Sequence, residues 1–162
     1  SFTPMLNMLA DEFPGARFVA CFRNPSKAVP SQINSILVGA RIFRGRHIDP
    51  EYWRDGLSEM LQFYYRHLFE AMPARVPHHH AHMLLERLAP DPEEAMLALY
   101  AEFGWQPSLS YRDALRGESE QAKGYRSAHQ YSLSELAIAP ERLERDFGFV
   151  YRHFDYPLPT QP

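Results

Sequence analysis

The amino-acid sequence predicts an α/β fold that is predominantly helical and contains a short parallel sheet. Residues 18–22 form an uninterrupted apolar run. Such a run lacks the alternation of a half-exposed strand and is typical of a strand covered on both faces in a parallel sheet. The run ends at Arg23, after which Asn24 and Pro25 stop the strand and favour a helix start. A charged side chain is therefore expected at the C-terminal end of a strand, where open α/β sheets bind their ligands.

Prolines and glycines delimit the remaining predicted elements, most of which are helices. An amphipathic helix opens the chain and ends at Pro14 and Gly15. A second helix starts at Asp49 and Pro50 and carries an apolar stripe as far as Pro73. A short strand is expected over residues 82–88, and helices over 91–104, over 111–118 and from 140 onward. The residues expected to face inward are Phe2, Met5, Leu6, Leu9 and Phe13 in the first helix and Leu143, Phe147, Val150, Tyr151 and Phe154 in the last.

The segment after the first strand has the chemistry of an anion site. Residues 25–29 are interpreted as a tight turn or short 3₁₀ piece. Pro30 is then placed in the first turn of the main helix, because a proline further inside a helix would break it. In that position both the N–H and the hydroxyl of Ser31 can face an anion. The guanidinium of Arg23 and the free backbone N–H groups of the helix start would complete the cage. The alternative is that Arg23 pairs with a nearby carboxylate and Asn24 only caps the helix.

Residues 13–31 resemble the 3′-phosphate-binding segment of sulfotransferases that use 3′-phosphoadenosine 5′-phosphosulfate (PAPS). That family carries an arginine at the strand end and a serine eight positions later, and Arg23 and Ser31 have this spacing. Residues 85–104 are similar to the strand, Asp-Pro and helix passage of the family. Residues 123–136 are similar to the late basic loop and closing helix of its bacterial branch. The three similarities follow one another in the family's order and together span most of the chain.

The resemblance implies a P-loop-like three-layer α/β/α sulfotransferase fold, of which this chain is the C-terminal portion without the loop that holds the 5′-phosphosulfate. It implies transfer of a sulfuryl group from PAPS to a hydroxyl or amine of a small-molecule, glycan or peptide acceptor. This chain would supply the 3′-phosphate half of the nucleotide site, and neither the general base nor the acceptor is assigned. A cytoplasmic location is expected. The implied nucleotide-binding residues are Arg23, Ser31, Lys123, Gly124, Tyr125 and Arg126.

Length, net charge and the lengths of apolar runs limit the classes of protein to which this chain can belong. The 162 residues suit a single domain over residues 1–156, followed by a proline-rich tail over 157–162. The net charge of −3 lacks the basic excess of a nucleic-acid-binding protein, and no apolar run is long enough for a membrane span. The lone cysteine, Cys21, is interpreted as a small core residue of the first strand.

Two alternatives of other classes remain open. In an extended segment His78, His80 and His82 lie on one face, and three imidazoles can bind zinc; the competing interpretation is a histidine-rich turn facing solvent. The chain could also be a non-catalytic helical interaction fragment. A kinase of P-loop architecture is disfavoured because the sequence has no Gly-x-x-x-x-Gly-Lys segment. If the fold lacks the strand that would pair with residues 18–22, the edge of that strand is exposed, and self-association through this edge is expected.

Overall fold

The structure, a computed structural model, describes residues 2–44, 49–124 and 133–159. Its described residues divide into two compact units. Unit 1 comprises residues 2–23 and 68–124, and unit 2 comprises residues 24–44, 49–67 and 133–159. Over these ranges, no helix combines the length and apolar character that a membrane crossing requires.

The sheet lies in unit 1 and has two parallel strands, β1 (Phe18–Phe22) and β2 (His80–Leu84). Their register runs from Phe18 opposite His80 to Phe22 opposite Leu84. The predicted short parallel sheet and the bounds of its first strand are confirmed. The second strand starts earlier than predicted and ends at Leu84, where helix α4 (Leu85–Leu88) begins. Hydrogen bonding to β1 determines which residues of this segment form the strand. The sequence of the segment alone does not indicate that the strand starts at His80.

Strand β1 is buried on one side only. Ala20 and Phe22 are 3% and 1% exposed, whereas Val19 is 40% exposed and Cys21 is also exposed. The prediction of a strand covered on both faces, with Cys21 in the core, is therefore wrong. The apolar run did not predict burial, because burial depends on which elements pack against the strand. Beside residues 18–21 the structure has an apolar cavity.

The other elements of unit 1 are a 3₁₀ turn (Thr3–Met5) and helices α1 (Leu6–Glu12), α4, α5 (Pro92–Glu102) and α6 (Leu109–Ala122). The first predicted helix is only partly right. The α-helix itself covers only Leu6–Glu12, where Leu6 and Ala10 are buried, whereas Phe2, Met5 and Phe13 lie outside it and are exposed. Helix α6 is longer than predicted because Ser108 caps it, accepting a hydrogen bond from the N–H of Tyr111 at 3.2 Å. Together α5 and β2 form a small core of Ala81, Met83, Ala95 and Leu99.

Unit 2 contains α2 (Pro25–Arg44), a 3₁₀ turn (Ser134–Leu136) and α7 (Pro140–Phe154). Helix α3 (Pro50–Arg75) lies in this unit up to residue 67. Its start is as predicted, since the carboxylate of Asp49 accepts the N–H groups of Glu51 and Tyr52 at 3.0 and 3.2 Å. The helix continues past Pro73, where the apolar stripe was expected to stop. In α7 the predicted inward residues Leu143, Phe147, Val150 and Tyr151 are at most 2% exposed, and Phe154 is half-buried.

An ion cluster links α3 to α7 within unit 2. Asp55 accepts hydrogen bonds from Nε of Arg54 at 2.9 Å and from Nη1 of Arg142 at 2.6 Å. The hydrogen bond from Arg54 and then that from Arg142 lower the pKa of Asp55 from 3.8 to about 2. Both guanidinium groups thus favour the ionised carboxylate in the folded chain.

This lowered pKa predicts a pH-dependent contribution to stability. Because the folded pKa lies below the unfolded one, the stabilisation is complete above about pH 4 and is lost as the pH falls towards about 2. We expect Asp55→Asn to destabilise the chain at neutral pH and the difference from wild type to vanish over that window. Urea denaturation at a series of pH values measures the difference in free energy of unfolding. Glu144→Gln, at an exposed position, is the control for the loss of one negative charge. A difference that persists unchanged to pH 2 would contradict the assignment.

Candidate functional site

Arg23 lies where the sequence places it, directly after the last residue of β1. Its side chain is half-buried. The preceding residue, Phe22, is fixed by edge-to-face contacts with Phe69 and His82, at ring-centroid distances of 5.2 and 5.1 Å. An arginine at the end of a well-anchored strand is suited to anion binding, because its planar group offers several donors in a defined direction.

Helix α2 begins at Pro25 and is capped by Asn24. The side-chain oxygen of Asn24 accepts the N–H of Ser26 at 2.9 Å. The main-chain oxygen of Asn24 accepts the N–H groups of Lys27 and Ala28 at 2.8 and 2.9 Å. Pro25 has no N–H to offer. The expectation that free backbone N–H groups of this turn complete an anion cage is therefore wrong, because the cap residue already binds them.

Ser31 occupies a different position from the predicted one. Residues 25–29 are α-helical, and α2 runs through Pro30 without interruption. A proline at this position removes only the hydrogen bond to the carbonyl of Ser26, a loss that a 20-residue helix can absorb. Ser31 therefore lies in the second turn, beyond the four N–H groups that lack acceptors at a helix start. Only its hydroxyl, on a half-buried side chain, can take part in ligand binding.

The first turn of α2 is held by a contact that the sequence does not reveal. The hydroxyls of Ser26 and Tyr151 are 2.6 Å apart, and Tyr151 of α7 is only 1% exposed. Burial raises the pKa of Tyr151, and hydrogen bonding with Ser26 opposes this rise. Tyr151 therefore stays protonated and fixes the start of α2. Its role is to position that turn.

The charge distribution around this segment is one-sided. No aspartate or glutamate occurs between residues 17 and 48, although the whole chain has a net charge of −3. Lys27 is exposed in the first turn of α2, where an anion also benefits from the positive end of the helix dipole. Lys27 is not among the nucleotide-binding residues expected from the sequence, and the length of the acid-free stretch is the signal that could have singled it out. The cations of this stretch are Arg17, Arg23, Lys27, Arg41, Arg44 and Arg46.

The second group of predicted nucleotide-binding residues follows α6. Lys123 is exposed, and its ammonium group is 2.6 Å from a carboxylate oxygen of Glu120, a contact that raises the pKa of the lysine. Gly124 closes the turn by donating its N–H to the carbonyl of Gln121 at 3.2 Å. An exposed ion pair of this kind contributes little free energy, so an anionic ligand could replace Glu120 beside Lys123 at small cost. Tyr125 and Arg126 lie outside the described residues.

The histidine cluster is built into β2 and the turn before it. His80 and His82 lie on one side of the strand with ring centroids 5.8 Å apart, and the interpretation as a solvent-facing turn is wrong for these two residues. Nδ1 of His80 is 2.9 Å from the carbonyl oxygen of Val76, and His82 packs against Phe22 and Phe69. Over the described ranges, no three His, Cys, Asp or Glu side chains are grouped as a metal site requires.

Comparison with known proteins identifies the fold. No protein-family model matches the chain, and no curated protein is significantly similar to it in sequence. Among solved structures, the crystal structure of the sulfotransferase STF9 from Mycobacterium avium matches 99% of this chain with a TM-score of 0.83 at 19% sequence identity. The chain spans 42% of the length of that protein. The described elements therefore have a sulfotransferase-like α/β fold with a short parallel sheet, and the three-layer P-loop arrangement stays a prediction.

Proposed function

We propose that this chain belongs to a PAPS-dependent sulfotransferase and forms the part of its nucleotide site that binds the 3′-phosphate. The observation that carries the proposal is the match to the fold of a sulfotransferase, in a chain that has Arg23 at the end of β1 and an acid-free segment around it. Fold alone does not define an activity, and it is the residues of this segment that support a nucleotide-binding role.

The roles of the residues follow from their chemistry. Arg23 supplies a guanidinium that binds two phosphate oxygens at once. Lys27 adds a second charge at the start of α2, and Ser31 contributes its hydroxyl. Because Asn24 binds the N–H groups of the first turn, the side chains carry the binding, supported by the helix dipole. Lys123 and Gly124, with Tyr125 and Arg126, are proposed to close over the same phosphate.

In the proposed reaction, a hydroxyl or amine of the acceptor attacks the sulfur of PAPS. The S–O bond to the 5′-phosphate breaks, and adenosine 3′,5′-bisphosphate leaves. The acceptor's proton passes to a general base that this chain does not identify. The contribution of the residues named above is to hold the nucleotide in place, so that the attacking and leaving groups stay aligned. A cytoplasmic location and a small-molecule, glycan or peptide acceptor belong to the same proposal.

Nucleotide preference tests the proposal against a kinase of related architecture. We expect adenosine 3′,5′-bisphosphate to bind this chain more tightly than ATP does, without a requirement for Mg²⁺. A kinase would show the opposite preference and need the metal. Isothermal titration calorimetry with both nucleotides, each with and without Mg²⁺, distinguishes the two. A non-catalytic interaction fragment, favoured by the exposed side of β1, would bind neither nucleotide.

The 162-residue chain by itself is expected not to transfer sulfuryl groups. The resemblance assigns the 5′-phosphosulfate to a glycine-containing loop, and the eight glycines of this sequence form no such loop. The assay is release of adenosine 3′,5′-bisphosphate from PAPS in the presence of a panel of phenol, sugar and amine acceptors. Turnover well above the rate without protein would show that the chain holds a complete site.

A further inference from the structure

A polar cavity of about 450 Å³ lies in unit 2, along one face of α7. Six of its seven lining residues belong to α7, between Glu141 and Arg152, at helical spacings of three and four residues. The seventh is Arg66 of α3. Five of the seven side chains are charged, so the cavity suits a polar ligand.

Two guanidinium groups are held at adjacent positions of this helix face. The guanidinium of Arg66 lies 5.0 Å above the ring of Phe149. A Cβ atom built on Gly148 would lie 3.1 Å from Nη1 of Arg152, so the guanidinium of Arg152 rests where a side chain of residue 148 would stand. Two guanidinium groups that line one cavity suit a tetrahedral oxyanion, whose oxygens can accept N–H bonds from both.

Gly148 supports this placement of Arg152. Glycine inside a helix is destabilising relative to alanine, and Gly148 lies buried in the middle of α7. Among the described residues, Arg152 is the neighbour that a Cβ at this position would meet within 4 Å. The group that gains from the glycine is therefore the guanidinium of Arg152.

Positive and negative charge are separated along the cavity. In the described part of the chain the Arg152 side chain makes no hydrogen bond or ion pair, whereas Nε of Arg145 donates to Asp146 at 2.9 Å. Glu141 and Glu144 lie near the start of α7, and Arg152 lies in its last turn. Glu144 and Arg152 are about 12 Å apart along the helix axis. A group that carries an anion at the arginine end can therefore present hydroxyls to the carboxylates at the other end.

We propose that this cavity binds a sugar that carries a sulfate or phosphate monoester. The ester oxygens accept N–H bonds from Arg66 and Arg152, and sugar hydroxyls donate to Glu141 and Glu144. The volume lies within the range of small-molecule sites, about 300–1,000 Å³, and leaves room for a sugar ring beside the anion. This function is independent of nucleotide binding, because none of the residues proposed to bind the nucleotide lines the cavity.

Calorimetric titration of the 162-residue chain tests the class of ligand. The probes are glucose 6-sulfate, glucose 6-phosphate, glucose and sodium sulfate. At least one ester should bind at least about tenfold more tightly than glucose or inorganic sulfate, because the ester alone reaches both ends of the cavity. The comparison of the two esters identifies the acid. Equal binding of inorganic sulfate and the esters, or no binding of either ester, would overturn the proposal.

Variants locate the binding at this cavity. Arg152→Ala should weaken ester binding at least about tenfold, whereas Arg112→Ala, at an exposed position of α6 outside the cavity, should change it by no more than about twofold. Gly148→Ala should weaken binding at least about threefold by displacing the Arg152 guanidinium, with an unchanged or higher urea midpoint because alanine favours the helix. Unchanged affinity in Arg152→Ala would overturn the proposal. Loss of ester binding in Arg23→Ala would also overturn it, by showing that the ester occupies the nucleotide site.

Discussion

Replacing Arg23 by alanine is expected to weaken the binding of adenosine 3′,5′-bisphosphate by about 1.5–3 kcal/mol, or about 10- to 150-fold in Kd. The loss is this large because the guanidinium is the side chain that can make two charge-assisted hydrogen bonds to the 3′-phosphate. Arg23→Lys keeps the charge but loses the paired geometry, so an intermediate affinity is expected. Calorimetric titration of each folded variant gives these constants.

Arg41→Ala is the matched control, because Arg41 belongs to the same acid-free stretch but lies near the far end of α2. It should change Kd by no more than about twofold, as expected for a distant exposed charge that salt screens. If Arg23→Ala and Arg41→Ala reduced affinity equally, the general positive charge of the stretch would explain binding. The specific role of Arg23 would then be wrong.

Replacing Phe147 by alanine is expected to destabilise the chain by about 3–5 kcal/mol. Phe147 is fully buried in α7 and makes an edge-to-face contact with Tyr65 at a centroid distance of 5.5 Å. Its removal leaves a cavity among closely packed side chains. Since folded domains are stable by only about 5–15 kcal/mol, this loss takes a large share of the total.

Phe149 on the same helix provides the comparison. It is only half-buried, and the guanidinium of Arg66 lies 5.0 Å above its ring. Phe149→Ala should therefore cost about 1 kcal/mol. Urea denaturation followed by circular dichroism measures both variants. Equal destabilisation by the two substitutions would contradict the burial of Phe147 as described.

Several elements could be predicted from the sequence because local chemistry determines them. The starts at Asp49–Pro50 and Asp91–Pro92 depend on a capping aspartate and on proline at the first helical position, and the start at Pro140 depends on the proline alone. The structure confirms all three. For the second of them, the carboxylate of Asp91 accepts the N–H of Glu94 at 3.1 Å. The apolar spacing of α7 was likewise sufficient to predict four of its buried residues, because one strong amphipathic period fixes the inward face.

Other features depend on tertiary context and could not be predicted. In the sequence Pro30 indicates a helix start, but α2 begins at Pro25, after the Asn24 cap, and continues through Pro30. The start of β2 depends on pairing with β1, and the exposure of Cys21 depends on which neighbours cover the strand. The sequence placed Arg23 at the end of β1, as the structure has it, and its part in a nucleotide site stays a prediction. The sequence could not show that Asn24 binds the first-turn N–H groups or that Tyr151 fixes Ser26.

The proposed function depends on binding of a nucleotide through its 3′-phosphate. The most direct test is calorimetric titration of the wild-type chain with adenosine 3′,5′-bisphosphate and with adenosine 5′-monophosphate, which differ only in that group. We predict that the bisphosphate binds at least about tenfold more tightly and that Arg23→Ala abolishes most of the difference. Equal affinities for the two nucleotides, or no binding of the bisphosphate, would contradict the claim.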